Sequence, residues 1–77
     1  MAHSLEKRKE RMRSPLGARL LKHRNAMQLR QREVAERIGR TQAYVSLIEH
    51  GKVKPSLDTA RRLTELYRVS LDELVGA

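Results

Sequence analysis

Cysteine, phenylalanine and tryptophan are all missing from the 77 residues, and only two tyrosines and two prolines occur. Without cysteine, no disulfide or thiolate metal site can staple a chain this close to the lower size limit for a single hydrophobic core. Stability has to come from helix packing or from dimerisation. A thiol-free chain also suits a reducing cytosol. The histidines, His3, His23 and His50, lie far apart and lack ligand spacing, so no metal and no other cofactor is expected. Long apolar runs are absent as well. None approaches the roughly 20 residues of a bilayer span, and no charged start leads into an apolar stretch of the secretory kind. A soluble cytoplasmic protein without a membrane partner is the expectation.

What the chain has in excess is positive charge. The formal net charge is +8, with a pI near 10.9. Residues 1–32 hold ten Lys/Arg against two acidic residues, whereas residues 33–77 hold seven of each, so the whole excess lies in the first part. Such a balance suits a polyanionic partner, although a solvated surface would give the same total. Residues 1–13 carry five of the basic groups and little apolar material beyond Leu5 and Met12. They read either as a disordered basic arm or as a loosely attached helix capped by Ser4. Residues 14–77 read as one domain.

Strand signals are nearly absent, because no sustained alternation occurs and the β-branched residues are scattered. Helix punctuation is dense instead. Ser14-Pro15 reads as an N-cap followed by the first helical residue, opening a helix to about Met27 with Leu16, Leu20, Leu21, His23 and Met27 on its apolar face. A second helix fits Gln31–Ile38, with Val34, Ala35 and Ile38 inward and Gly39 ending it. Thr41 caps a third, Gln42–His50, with Val45 and Ile48 inward and Gly51 at its end. After the basic loop Lys52–Pro55, Ser56 caps a fourth helix that buries Leu57, Ala60, Leu63, Leu66 and Tyr67. Ser70–Glu73 forms a capping box for a short fifth helix carrying Leu71, Leu74 and Val75. The expected fold is all-α, a compact five-helix domain.

Two short helices around a Gly39-Arg40-Thr41 turn form a helix-turn-helix arrangement. The second of them, Thr41–His50, can enter the major groove of B-DNA, with Gln42, Ala43, Ser46 and Leu47 facing outward. A Gln amide can pair with adenine N6 and N7, and the Ala43 and Leu47 methyl groups can touch a thymine methyl. Spacing alone leaves an ordinary helical hairpin as the alternative.

The blocks Gln31-x-x-Val34-Ala35, Gly39, Val45-Ser46-x-Ile48-Glu49-x-Gly51, Pro55-Ser56-Leu57 and Val69–Leu74 go further. In this order they make the run from Leu16 to Val75 resemble the phage Cro and repressor-like helix-turn-helix family, also called the xenobiotic-response-element family. The resemblance implies a lambda-repressor-like domain that binds double-stranded DNA. It implies that Gln31, opening the second helix, binds a DNA phosphate through its side chain and the positive helix end. Gln42 leads the base-reading positions, followed by Ala43, Ser46 and Leu47, with Thr41 at the cap and Tyr44 against the groove wall. His50, Lys52 and Lys54 would grip phosphates. Arg24 and Glu49 match a largely buried ion pair with a structural role. Three positions depart from the family pattern: Arg30 stands where a capping Ser, Thr or Asn is usual, Arg40 where an apolar residue is usual, and His23 where an aliphatic one is.

The functional expectation is a sequence-specific transcriptional regulator, repressor or autoregulator, without enzymatic activity, associated with the nucleoid when bound to DNA. It would act as a homodimer on a two-fold-related operator with half-sites about 34 Å apart. Tyr67, Leu71, Leu74 and Val75 are the candidates for the dimer face. The alternative is an antitoxin or other protein-interaction module that also binds DNA, the basic segment folding on its partner. An enzyme is the weakest reading, since no nucleophile–base pair, metal cluster or phosphate-cradling glycine loop is present.

Overall fold

A computed structural model describes residues 15–75 of the chain; the basic segment 1–13 and the expected Ser14 cap lie outside the described residues. The described residues contain five helices and no strand: α1 (Pro15–Ala26), α2 (Gln31–Ile38), α3 (Gln42–Glu49), α4 (Leu57–Tyr67) and α5 (Leu71–Val75). None of these helices is long and apolar enough to cross a membrane. α3 packs against α2 and α1, α4 lies against α2, and α5 returns to touch α1 and α4.

The helix starts follow the capping residues. Thr41 Oγ1 accepts the Tyr44 N–H at 3.1 Å, Ser56 Oγ accepts the Thr59 N–H at 3.2 Å, and Ser70 Oγ accepts the Glu73 N–H at 3.1 Å. These bonds satisfy amides that the first helical turn leaves without a partner. Arg30 is the exception among the caps, since a guanidinium can donate but not accept. Its own backbone N–H instead donates to Glu33 Oε1 at 2.9 Å, which keeps half of a capping box.

The helix ends share one device. Gln28, Gly39, Gly51 and Arg68 all adopt left-handed φ, between 55° and 73°. The residue after each turns its N–H back to a carbonyl five positions earlier: Leu29 to Arg24, Arg40 to Ala35, Lys52 to Leu47, and Val69 to Thr64. α1 consequently stops at Ala26, and Met27, expected on its apolar face, is exposed.

The core consists of Leu20, Val34, Ala35, Ile38, Val45, Ile48, Leu63, Tyr67 and Leu74, edged by Leu16, Leu29, Tyr44, Leu66 and Val69. Each fully buried Leu or Ile contributes about 1.5–3 kcal/mol relative to its exposed state. His23 lies flat against Tyr67, with ring centroids 5.7 Å apart and planes 26° apart. Its departure from an aliphatic residue is thus absorbed by ring stacking.

Two sequence expectations need correction here. Leu74 and Tyr67 were named for the dimer face, but they are 0% and 7% exposed, so for Tyr67 the expectation of a place on the buried side of the fourth helix is the one that holds. The reason is that α5 folds back against α1 and α4, covering that apolar face with the chain's own residues. Leu71 remains exposed, and Val75 ends α5. Burial, reinforced by the nearby Glu49 charge, pushes the Tyr67 hydroxyl well above its usual range, so it stays protonated in the fold. Leu57 is the second correction. It is 59% exposed in the first turn of α4, where Thr59 takes the buried position instead.

The sequence reading missed Gly17. It is buried on α1, where a Cβ would stand 2.4 Å from the Glu49 carbonyl oxygen and 2.9 Å from that of Ile48. Both atoms are backbone and cannot swing aside. In an ordinary helix interior Gly→Ala gains about 1 kcal/mol. Here the sign reverses. Gly17→Ala is expected to destabilise the domain by about 1–3 kcal/mol, the cost of overpacking. Urea unfolding at constant m-value measures it, and a stabilised variant would contradict the contact.

Candidate nucleic-acid interface

α3 is divided lengthwise. Val45, Ile48 and Glu49 are buried, while Gln42, Ala43, Leu47 and His50 are exposed and Ser46 and Tyr44 are half-buried. At 3.6 residues per turn, Gln42, Ala43, Ser46, Leu47 and His50 fall on one continuous face. Leu47 leaves 42% of its surface in solvent on that face, which is apolar area without a partner in the domain.

The inward side of α3 ends in a charge. Glu49 is only 5% exposed, and such a carboxylate needs compensation to stay ionised. Arg24 of α1 supplies it in a forked arrangement: Nε donates to Oε2 at 2.6 Å and Nη2 to Oε1 at 3.1 Å. Gln31 Nε2 donates to the same Oε1 at 3.0 Å. Arg24 Nη1 also reaches the Leu29 carbonyl at 3.0 Å, tying in the α1–α2 connection. Hydrogen bonding to Glu49 holds the Arg24 guanidinium above its ordinary pKa, against the opposing effect of burial. The α1, α2 and α3 helices therefore meet on one carboxylate.

The candidate phosphate residues surround this centre. Gln31 opens α2, and its side-chain donor is taken by Glu49, so the phosphate contact expected of that side chain competes with the buried carboxylate. A concave notch of about 440 Å³ lies at this point, lined by Arg24, Leu29, Arg30, Gln31, Arg32 and Gln42. It joins the start of α2 to the start of α3 and carries three guanidinium groups. Beyond the other end of α3, Lys52 and Lys54 are exposed in the loop before α4. His50 Nδ1 lies 2.8 Å from the Ser46 carbonyl oxygen, so it carries the proton and donates; Nε2 is left pointing away from that bond.

Two further arginines act around the turn. The Arg62 Nη1 of α4 donates to the Ile38 carbonyl at 3.2 Å, closing the end of α2, and Arg62 Nε pairs with Asp58 at 3.3 Å. Arg40 lies across the Tyr44 ring with its guanidinium carbon 4.6 Å from the centroid, and Arg40 Nη2 donates to Thr59 Oγ1 at 3.5 Å. The Arg62–Ile38 and Arg40–Thr59 bonds were not apparent from the sequence, since both depend on α4 lying beside the turn.

Comparison with known proteins agrees with this geometry. The profile of the helix-turn-helix domain family matches residues 15–75. The chain is 40% identical over 57 residues to the HTH-type transcriptional regulator PuuR of Escherichia coli (strain K12) and to that of Shigella flexneri. Each alignment takes in 74% of this chain but only 31% of the relative, so the chain spans about a third of those proteins. Among solved structures, the restriction-modification controller protein C.AhdI from Aeromonas hydrophila superposes with a TM-score of 0.74 at 30% identity. That match covers 79% of this chain and 92% of the controller protein.

Removing Arg24 would leave Glu49 buried with Gln31 as its remaining partner. Arg24→Met is therefore expected to cost about 3 kcal/mol, the lower end for a broken buried pair, measured by chemical denaturation. A cost below about 1 kcal/mol, the value of an exposed pair, would refute the central position of this contact.

Proposed function

Since the chain belongs to the helix-turn-helix domain family, we propose that it is a DNA-binding transcriptional regulator that reads the major groove with α3. The observation that carries this reading is the division of α3: one side is fixed on a buried carboxylate, and the other offers Gln42, Ala43, Ser46 and Leu47 to solvent in a row. Gln42 and Ser46 supply hydrogen-bonding groups for base edges, and Ala43 and Leu47 supply apolar contact for thymine methyls. Thr41 and the first amides of α2 at Gln31 meet phosphates, with Arg30 and Arg32 of the notch beside them. His50, Lys52 and Lys54 hold the backbone at the far end of α3, and Tyr44 lies against the groove wall. The role is one of binding, with no chemistry performed on the DNA. It is exercised in the cytoplasm, at the nucleoid when DNA is bound.

The chain acts as a homodimer on a two-fold-related operator, as a repressor or autoregulator. With Tyr67 and Leu74 inside the domain, the exposed Leu71 is the described apolar side chain of α5 that can meet a second copy, and Val75, whose side chain lies outside the described residues, stays a candidate beside it. Sedimentation should show a dimer at micromolar concentration, shifted to monomer by Leu71→Asp. A wild-type chain that stays monomeric at every concentration would defeat this part.

Titration of genomic fragments at several salt concentrations tests the main reading. A steep loss of affinity with salt, together with preference over random duplex, is the expected result. Gln42→Ala should relax base preference at one position of each half-site. Lys52→Ala should weaken binding to every sequence alike and make the salt dependence shallower by about one. Equal, weak binding to all duplexes would end the operator-reading proposal.

A further inference from the structure

Arg40 has no part in the reading just given, yet its placement is unusually constrained for an exposed side chain. It occupies the turn immediately before the Thr41 cap of α3. Its planar head lies over the Tyr44 ring at 4.6 Å, and Nη2 reaches Thr59 Oγ1 on α4. Among the described residues no carboxylate pairs with it. The result is a positive charge held in a fixed place and not neutralised, with the remaining guanidinium N–H groups available to an external acceptor. Fixing the head beforehand lowers the side-chain entropy lost when that acceptor arrives.

The helical positions say which acceptor it meets. Tyr44 stands about 60° round the axis from Leu47 and about 100° from Ala43, at 3.6 residues per turn. The stacked pair therefore borders the exposed face rather than lying at its centre. A helix seated in the major groove presents its centre to base edges and its borders to the walls, and the walls are phosphodiester. We propose that Arg40, held on Tyr44 and Thr59, is a DNA-phosphate clamp that fixes α3 in the groove without reading sequence. This rests on the reading of α3 as the groove-entering helix.

The test uses the whole 77-residue chain with two probes: a random-sequence duplex and a duplex selected by the wild type from genomic fragments. Arg40→Met keeps apolar cover over the Tyr44 ring and removes the charge. It should bind both duplexes about tenfold or more weakly, as expected for a lost charge-assisted hydrogen bond. The slope of log affinity against log salt should fall by about 0.9 per bound chain, and the ratio between the two duplexes should hold. Arg40→Gln, neutral and planar, should give the same shallower slope, and it stands in if the Met variant loses its cooperative melt. Arg40→Lys should recover the slope but only part of the affinity, because an ammonium has neither the fork nor the flat stacking face. Unchanged slope and affinity in both neutral variants would reduce Arg40 to a cover for Tyr44 and overturn the clamp. A changed ratio between duplexes would make it a base reader and overturn it equally. If the wild type binds neither duplex, the reading of α3 fails first, before any variant is measured.

Discussion

A carboxylate in the interior of a small domain is costly unless something answers its charge, and Glu49 is answered from two sides. The Arg24 fork comes from α1 and the Gln31 amide from the start of α2, while Glu49 itself closes α3. One charge thus fixes the mutual position of α1, α2 and α3. An apolar residue there would pack as well and avoid the desolvation cost, but dispersion contacts have little directionality. Forked hydrogen bonds at 2.6 and 3.1 Å set an orientation as well as a distance. Gly17 allows this approach, since the α3 carbonyls of Ile48 and Glu49 come against its bare Cα.

The consequence for the exposed face is indirect but firm. An eight-residue helix is marginal on its own, and most of its order comes from packing. α3 is held by its Thr41 cap at one end, Val45 and Ile48 in the middle and Glu49 at the other. These restraints enter from behind or from the ends, so the outward side chains of Gln42, Ala43 and Leu47 are left without a part in holding the helix. The phosphate-contact candidates differ in this respect. Gln31 serves the buried carboxylate as well as the start of α2, so its side chain cannot be exchanged without disturbing the core.

Much of this was legible in the chain itself. The bounds of α2, Gln31–Ile38, follow from the inward triplet Val34, Ala35 and Ile38 and the glycine after it, and the caps Thr41, Ser56 and Ser70 are chemically specific to helix starts. Local chemistry and local geometry coincide at those points. The misses are tertiary. Gly17 is required by a neighbouring helix 25 or more residues away, which no local pattern records. Leu74, and Tyr67 beside its place on the buried side of α4, were named for a dimer face because a periodic apolar stripe does not say whether its cover is the same chain or another. Arg40 and Arg62 looked like surface charges until α4 was in place beside the turn.

The four helix ends leave a different mark on the domain. Glycine adopts the left-handed turn at positions 39 and 51 without steric penalty, but Gln28 and Arg68 hold it with a Cβ in the way, at roughly 1–2 kcal/mol each. Both positions follow the last residues of α1 and α4 and lie outside α3 itself. The fold therefore sits short of the stability its own architecture permits. That unused margin is stored in the backbone of two turns, where it can be drawn on without altering Gln42, Ala43, Ser46 or Leu47.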